Sequence, residues 1–516
     1  MTATNRKKTL LLGAISNYGA LFLSIIVGLI SVPLGLNYFG PIRYGVWCVI
    51  MSILAYLRIS DFGVGLSTLT LMAQAHNPAS QRVILRNSIG LLSGISFVFI
   101  VLILFTSRLF PGWVGILGKV PLGVQGEAER ATLAIGILVL LQLPTTIFAA
   151  AFSGLQQVYW NRVYRALGVI ATLGALVATV LVSGNLVTLA VFTGLGGLLV
   201  GIVTGLHLFL VHPYVRPRIT EKVADAPSMG ILFTSGIRFL TLQIAVLIIM
   251  NTDNLVISHY LGAEKVTPYA VTFKFFWMAL VMVNAVTGVL WPMYGKASGQ
   301  GDWDWIQRTY NSCVSMLIIG GGLVWIVGII FSQAIINLWA GSVAYGGLVT
   351  AFALGGYVFI SSFGGSNHSL INGLNPTNIV VVFGLIEAVL NLVISLLLVK
   401  PLGIGGVALG TFIASLAVNT WFPPLYIRCR TQKKVNLELK PILIHSLIVM
   451  TCVIFALFMV LYLSAWLRFV LGIVISLVYL ALSWRVMPDN LQNLIKKGIF
   501  NLQVVRALFS DKGETT

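Results

Sequence analysis

The chain has 516 residues, of which 58% are hydrophobic and only 9% are charged, whereas about 25% of the residues in a typical soluble domain are charged. This composition excludes a soluble globular protein and predicts an integral membrane protein. The formal net charge of +18 does not indicate binding to nucleic acid, because the cations are not gathered into one basic arm with interleaved aromatic residues.

Apolar segments long enough to cross a bilayer, for which about 20 helical residues suffice, follow one another along the chain. The first follows the basic stretch MTATNRKKTLLLG and continues to Leu36 without a cleavage pattern, so we expect an uncleaved first span. The predicted fold is an all-α integral membrane protein with fourteen transmembrane helices, at 9–36, 44–71, 87–107, 128–154, 165–183, 187–210, 229–257, 268–294, 309–336, 345–371, 377–399, 405–427, 441–463 and 467–484.

The distribution of Lys and Arg predicts the orientation of these spans. With both termini in the cytoplasm, the inner segments hold twenty-two of the 32 cations and the outer segments hold six. Cationic loops are retained on the cytoplasmic side, so we expect both termini inside. The bias also accounts for the net charge.

The segment after the last span, PDNLQNLIKKGIFNLQVVRALF, has apolar residues at helical spacing with cations between them. This pattern predicts an amphipathic helix on the inner leaflet, with a docking site for a partner protein as the alternative.

Two short patterns recur along the chain at nearly the same offset. NYFGPIRYGVW at 37–47 and HYLGAEKVTPYAVT at 259–272 both fall at predicted outer turns, and their glycines, Gly40 and Gly262, are 222 residues apart. SGLQQ and NGLNP close spans 4 and 10, with Gly154 and Gly373 separated by 219 residues. An interval of six spans predicts parallel repeats related by an axis along the membrane normal. We therefore expect an N-lobe at 1–226 and a C-lobe at 227–440 around a central cavity, two extra spans at 441–484 and a cytoplasmic tail at 485–516.

The sequence does not indicate an enzyme. No phosphate-binding GxxxxGK[ST] motif occurs, and the longest outer loop, 107–127, is mostly apolar and Gly-rich and offers no substantial catalytic site. The six histidines show no metal-ligand spacing. We expect neither a cofactor nor a metal, and the two-lobe plan favours a transporter that works by alternating access.

Ionised groups inside a membrane carry a functional presumption, because each costs at least about 2.5–3.5 kcal/mol at the helix centre. The predicted spans hold six: Arg58, Asp61, Arg238, Asp253, Lys274 and Glu387. Arg58 and Asp61 are three residues apart and could instead neutralise each other. Likewise, Asp253 and Lys274 could form a structural pair between neighbouring spans. Arg238 is the strongest candidate for ligand contact, since no carboxylate lies within four residues of it on its helix.

Polar and aromatic residues accompany these charges within the spans. Asn17 and Tyr18 lie in span 1 and Asn284 lies in span 8. Interhelical hydrogen bonding is their ordinary role, but amides also bond sugar hydroxyls and aromatic faces stack on sugar rings.

Two stretches resemble a known family. YFGPIRYGVWCVIMSILAYLRISDFGVGLS at 38–67 resembles the span 1–2 region of the polysaccharide transporter family, the Wzx-type O-antigen flippase branch of the multidrug/oligosaccharidyl-lipid/polysaccharide superfamily. NTDNLVISHYLGAEKVTPYAV at 251–271 is similar to the span 7–8 region of the same family. The predicted plan of twelve spans in two lobes plus two more extends the resemblance over the whole chain.

The resemblance implies a flippase that moves undecaprenyl-diphosphate-linked oligosaccharide from the inner to the outer leaflet of the bacterial cytoplasmic membrane by alternating access. Arg58, Arg238 and Lys274 would compensate the diphosphate, while Asn17, Tyr18 and Asn284 would contact the head group. Asp61, Asp253 and Glu387 are the acids available for antiport of H⁺ or Na⁺. Membrane lipids and polysaccharide assembly proteins are the further partners.

Two other functions remain open at this stage. A cation-coupled multidrug exporter of the same superfamily would be expected to carry more acid than base in its cavity, whereas the spans hold three of each. A non-transporting scaffold of a polysaccharide assembly complex would use the amphipathic tail as its docking element.

Overall fold

The computed structural model describes residues 3–75, 77–109, 115, 117–218, 229–374, 377–488 and 491–492, and for residues 3–18 and a few others it describes the backbone alone. Within these ranges the chain is helical and contains no β-strand. The α-helices are α1 (Ala3–Leu57), α2 (Val64–Gln74), α3 (Pro78–Leu109), α4 (Leu122–Gly154), α5 (Val158–Leu181), α6 (Leu186–Val211), α7 (Met229–Leu261), α8 (Val266–Val283), α9 (Thr287–Gln300), α10 (Trp303–Ala340), α11 (Leu348–Gly373), α12 (Thr377–Asn419), α13 (Phe422–Arg430), α14 (Leu439–Tyr462) and α15 (Ala465–Val486).

Eleven helices in the described part of the chain are long and apolar enough to cross a membrane, so this is a multi-pass membrane fold. Two of these helices, Gly19–Asp61 with 43 residues and Ile379–Arg430 with 52, are too long for one crossing of a core about 30 Å thick. In each of them, one glycine has backbone angles that are not helical. These glycines are Gly40 (φ 72, ψ 171) and Gly403 (φ 60, ψ −141). The sequence places turns at these glycines. The count of fourteen spans stays a prediction.

The chain forms two compact units. Unit 1 consists of Met1–Thr272, Ile336–Gly346 and Gly384–Gly410, and unit 2 consists of Phe273–Ile335, Gly347–Phe383 and Thr411–Thr516. The predicted domain limits and the parallel repeat stay predictions. The amphipathic tail, apart from its first residues, lies outside the described residues.

In unit 1, a stripe of glycines on α6 allows close packing against α4. A Cβ atom added at any of four glycines would lie between 2.1 and 2.7 Å from a side-chain atom of α4. Small residues of this kind let helix backbones approach each other in a lipid environment, where the hydrophobic effect does not drive association. The stripe and the residues it meets are Gly194, Gly197, Gly201 and Gly205, against Leu138, Gln142, Thr145 and Phe148.

In unit 2, α11 lies against both α9 and α10. A Cβ atom at Gly373 would lie 2.6 Å from the Tyr294 Cβ atom of α9 and 2.9 Å from the Trp291 carbonyl oxygen. On the side of α10, the Trp325 indole donates a hydrogen bond to the Phe352 carbonyl at 2.9 Å. These contacts place α11 in the interior of unit 2, where most of its residues are buried.

Candidate substrate and coupling site

Span 2 is broken in unit 1 between α1 and α2. Residues Arg58–Asp61 form one turn of 3-10 helix, after which Phe62 (φ 48) and Gly63 (φ 74) adopt left-handed conformations before α2 begins. Such a break inside an apolar span frees backbone groups that need new partners, and it is tolerated where protein or water supplies them. The break lies about midway between Gly40 and the end of α2.

The carboxylate of Asp61 supplies those partners. It accepts a hydrogen bond from the Gly63 backbone N–H at 2.9 Å, and the Gly65 N–H and the Gln243 side chain also donate to it. Asp61 therefore caps the start of α2 and ties it to α7. The sequence placed Asp61 in a membrane span but did not reveal Gln243 as its partner.

The backbone of α7 lies directly against the break. A Cβ atom added at Gly63 would lie 2.2 Å from the Gly236 carbonyl oxygen, and one added at Gly236 would lie 2.5 Å from the Phe62 carbonyl oxygen. Arg238 lies on α7 between Gly236 and Gln243, both of which contact the break. Its side chain, like those of Asn17 and Tyr18, is outside the described residues.

Arg58 differs from Asp61 in its surroundings. Its side chain is exposed, and it makes no ion pair with Asp61 or with any other described residue. Because a guanidinium near the middle of a span is costly in hydrocarbon, its exposure favours a polar surrounding over lipid tails.

Asp253 is buried near the end of α7, with 4% of its surface exposed. It accepts a hydrogen bond from the Tyr269 hydroxyl, a partner that the sequence did not single out although Tyr269 lies in the second recurring stretch. One residue earlier, Thr252 is hydrogen bonded to Tyr56 at 2.5 Å, which joins α7 to α1.

The remaining predicted site residues lie elsewhere in the two units. Glu387 is buried on α12 in unit 1, one helical turn before the buried Asn391, whose side chain accepts a hydrogen bond from Ser395 at 2.9 Å. Lys274, on α8, and Asn284, in a turn of 3-10 helix between α8 and α9, belong to unit 2 and are half-buried. A pair between Asp253 and Lys274 stays a prediction.

The two recurring stretches contact each other within unit 1. Thr267 donates a hydrogen bond to the Pro41 carbonyl at 2.5 Å, and a Cβ atom at Gly45 would lie 2.0 Å from the Ala263 carbonyl oxygen. Lys119, in the loop before α4, exchanges backbone hydrogen bonds with this second turn. These contacts join the two recurring stretches at the turns that the cation distribution predicts to be outer.

Comparisons with known proteins agree with this architecture. No family model matches the chain. The chain is 24% identical over 218 residues to the protein named "Putative O-antigen transporter" of Salmonella typhimurium, and the match covers 41% of this chain and about half (49%) of that relative.

Solved structures share the fold over nearly their whole lengths. The lipid II flippase MurJ in an inward closed conformation is similar with a TM-score of 0.65 and 16% identity, covering 92% of this chain and 99% of MurJ. The inward-facing conformation of a multidrug resistance MATE family transporter of the MOP superfamily gives a TM-score of 0.67 and 15% identity, covering 81% of this chain and 99% of that chain. The predicted resemblance is therefore confirmed at the level of the fold, and the similar proteins are transporters and flippases.

Proposed function

We propose that this protein is a flippase that moves undecaprenyl-diphosphate-linked oligosaccharide from the inner to the outer leaflet of the bacterial cytoplasmic membrane by alternating access, with both termini in the cytoplasm. Transport is driven by antiport of H⁺ or Na⁺. The likeness to an O-antigen transporter and to a lipid II flippase supports this substrate class.

The exposed guanidinium of Arg58 at the break of span 2 is the observation that carries the proposal. It has no counter-charge among the described residues, so it is available to a ligand. A diphosphate cannot cross hydrocarbon uncompensated, and the planar fork of donors of an arginine binds phosphate oxygens through charge-assisted hydrogen bonds. Arg238 on α7 and Lys274 on α8 are the further cations proposed for this role.

In the proposed cycle of alternating access, the contacts between the turns at Pro41 and Thr267 hold the outer side together while the substrate enters from the cytoplasm. They separate when the substrate is released to the outer leaflet. Asp61, Asp253 and Glu387 are the acids proposed for ion coupling, and Asn17, Tyr18 and Asn284 are proposed to contact the head group.

The test is flipping of a fluorescent undecaprenyl-diphosphate oligosaccharide by the purified protein in vesicles, read by an impermeant quencher. Arg58→Ala is expected to lower the rate by about tenfold or more, because a hydrogen bond to a charged group contributes about 1.5–3 kcal/mol and 1.4 kcal/mol corresponds to tenfold. Arg58→Lys should retain part of the rate. A rate for Arg58→Ala equal to that of the wild type contradicts the proposal.

Arg130→Ala is the matched control. The Arg130 side chain is also exposed in unit 1, but it donates to the Gly126 carbonyl of its own helix at 3.1 Å. We expect this variant to flip the lipid at the wild-type rate.

A multidrug exporter is the second candidate, favoured by the likeness to the MATE transporter. Efflux of a lipophilic cation that Arg58→Ala leaves intact or increases, without flipping of the lipid, would support it. The variant Arg238→Ala distinguishes a flippase from a non-transporting scaffold. It should abolish surface polysaccharide if the protein is a flippase and leave it unchanged if the protein is a scaffold.

A further inference from the structure

The short helix α13, at the end of span 12 in unit 2, has one exposed face. Trp421, Phe422 and Leu425 are 65%, 46% and 59% exposed. Arg428, three residues after Leu425, is also exposed, whereas Ile427 is buried. Residues three and four apart lie on the same side of a helix, so the apolar side chains at the start of α13 lie in line with a cation at its end. A face of this kind suits the boundary between hydrocarbon and lipid head groups.

The polar end of this face contains a cavity of about 510 Å³. It is lined by Leu425, Arg428, Cys429, Gln432 and Lys433, none of which is acidic. Both cations are exposed, and neither makes an ion pair with a residue that the structure describes. The cavity is therefore positively charged, with an aliphatic side chain on the side that leads to the apolar face.

The loop after α13 gives this cavity a fixed shape. Gln432 (φ 52) and Lys433 (φ 64) are consecutive left-handed residues, a conformation that is disfavoured for residues other than glycine. Thr431, which is buried, donates a hydrogen bond to the Ile427 carbonyl at 2.8 Å and accepts one from the Val435 N–H at 3.2 Å. These bonds close the loop on the helix end and hold the backbone that carries the cations.

The following residues attach the loop to α10. The Gln307 side chain exchanges hydrogen bonds with the backbone of Asn436 at 2.6 and 2.7 Å. Glu438, the acid nearest to the cavity in sequence, accepts a hydrogen bond from the Asn311 amide at 3.1 Å. The Nζ atom of Lys434 lies 5.2 Å from the ring centroid of Trp303. The loop is thus anchored on its far side, where Glu438 and Lys434 have partners of their own.

We propose that this cavity binds the phosphate of an anionic phospholipid such as phosphatidylglycerol, with an acyl chain against the exposed face of α13. Arg428 and Lys433 would donate charge-assisted hydrogen bonds to the phosphate oxygens. Basic pockets at the cytoplasmic ends of spans recognise anionic head groups in this way. The cation distribution predicts that this end of span 12 is cytoplasmic, so the lipid belongs to the inner leaflet.

The apolar face favours a lipid over a soluble anion. A free phosphate would use the two cations and leave Trp421, Phe422 and Leu425 without a role, whereas a phospholipid covers both parts of the face. The exposed apolar residues are continuous with span 12, so the acyl chain stays within the hydrocarbon while the phosphate reaches the cavity. The bound phospholipid is a resident one, and its binding does not rest on the proposed transport function.

The test uses Cys429, which lines the cavity and is exposed, as a reporter of occupancy. Full-length protein in phosphatidylcholine nanodiscs with increasing phosphatidylglycerol is treated with an uncharged, water-soluble maleimide, and Cys429→Ser provides the blank. We expect phosphatidylglycerol to slow the reaction. In Arg428→Gln/Lys433→Gln, the amount of this lipid that halves the rate should rise about tenfold or more, because each cation near an anionic lipid contributes to binding.

Arg430→Gln/Lys434→Gln is the matched control. It removes the same number of charges from the same segment, but neither residue lines the cavity. We expect the half-protecting amount of phosphatidylglycerol to stay within about twofold of the wild-type value, because exposed charges outside the cavity act only through the screened field of the surface. An equal rise in both double variants would show diffuse attraction to the membrane and would overturn the proposal.

Three further arms identify the ligand. Equal protection of Cys429 by the zwitterionic phosphatidylethanolamine overturns the requirement for an anionic lipid. Equal protection by soluble glycerol phosphate overturns the role of the acyl chain. Protection by undecaprenyl diphosphate, without protection by phosphatidylglycerol, overturns the assignment to a resident phospholipid. Absence of flipping by the wild type refutes the proposed transport function alone, because protection by phosphatidylglycerol is measured without transport substrate.

Discussion

A turn of 3-10 helix lies at Arg58–Asp61 in unit 1 and at Asn284–Val286 in unit 2, and the polar groups at the two turns are satisfied differently. Left-handed residues follow the first turn, whereas the residues on both sides of the second turn are helical. Asp61 accepts hydrogen bonds from the backbone of Gly63 and Gly65 and from Gln243. The side-chain oxygen Oδ1 of Asn284, 223 positions after Asp61, is buried and has no hydrogen-bond partner among the described residues. The first turn is stabilised by its own carboxylate, whereas the second leaves an acceptor available.

The polar residues at the two turns therefore have different effects on stability. A polar group with all its hydrogen bonds made stabilises a break in a span, while a buried acceptor without a partner lowers stability and can be retained for binding. We infer that the hydrogen bonds of Asp61 stabilise unit 1 in addition to the coupling role proposed for its carboxylate, and that the side-chain oxygen of Asn284 is retained for contact with the head group.

The largest expected difference in the free energy of unfolding is between the variants Asp61→Ala and Asn284→Ala. Asp61→Ala should lower the free energy of unfolding by about 3 kcal/mol or more, because three donors lose their acceptor and each costs about 1–3 kcal/mol. Asn284→Ala should change it by less than about 1 kcal/mol, since its Oδ1 atom has no hydrogen-bond partner among the described residues to lose. Thermal unfolding of both variants in one detergent measures the difference. Equal losses would remove the distinction between the two turns.

The backbone contact at the first break gives the next largest effect. Gly63 (φ 74, ψ 8) and Gly301 (φ 75, ψ 14) share a left-handed conformation, which costs an L-residue about 1–2 kcal/mol. A Cβ atom at Gly63 meets the Gly236 carbonyl oxygen at 2.2 Å, whereas at Gly301 nothing lies within 4 Å. Gly63→Ala should therefore be less stable than Gly301→Ala by about 1–3 kcal/mol, the cost of overpacking. Equal unfolding temperatures of the purified variants would show that α7 does not press on the break.

Gly154 and Gly373, which belong to the second recurring pattern and close spans 4 and 10, should respond alike to substitution by alanine. A Cβ atom at Gly154 would lie 2.8 Å from Met72 Cβ on α2, and one at Gly373 would lie 2.6 Å from Tyr294 Cβ on α9. We expect Gly154→Ala and Gly373→Ala each to cost about 1–3 kcal/mol. Gly123→Ala, which meets no heavy atom within 4 Å, is the control in thermal unfolding. A loss in only one of the two variants would weaken the proposed repeat.

The smallest effect concerns the pH response of unit 1. Burial, with His207 nearby, lowers the pKa of His212, which lies after α6 and is hydrogen bonded to Gln157 at 3.1 Å. The unfolded chain therefore binds a proton at His212 below about pH 6.5 more readily than the folded protein does, so stability falls as the pH falls through this range. Replacing His212 with Asn should remove part of this fall, within about 0.5 kcal/mol. Unfolding temperatures at pH 5.5 and 7.5 measure it, and an unchanged difference would contradict the assignment.

Several features of the fold could be predicted from the sequence because they depend on local chemistry. Apolar runs of sufficient length become helices in a bilayer, where each backbone polar group must be satisfied within the segment. The recurring stretches predicted turns at Gly40 and Gly262, and both glycines have positive φ values, 72° and 97°. The sequence also places turns at Gly40 and Gly403, and both glycines have non-helical backbone angles within the long helices α1 and α12.

The hydrogen-bond partners of the charged residues could not be predicted from the sequence. The spacing of Arg58 and Asp61 allowed a pair on one helix face, but that geometry holds only in a regular α-helix. The 3-10 turn and the left-handed residues after it direct the Asp61 carboxylate to Gly63 and leave Arg58 exposed. The break was not apparent in the apolar pattern, which continues through it.

The sequence by itself determined that this chain crosses a membrane many times and which charged side chains are placed within the spans, because transfer into lipid depends on each segment's own composition. Only the tertiary structure decided which of those polar groups are satisfied. The donors to Asp61 include Gln243 from a distant helix, and the close approach at Asn284 comes from Gly365 of another. Such partners are brought together by packing between segments far apart in the chain, and no local pattern encodes them.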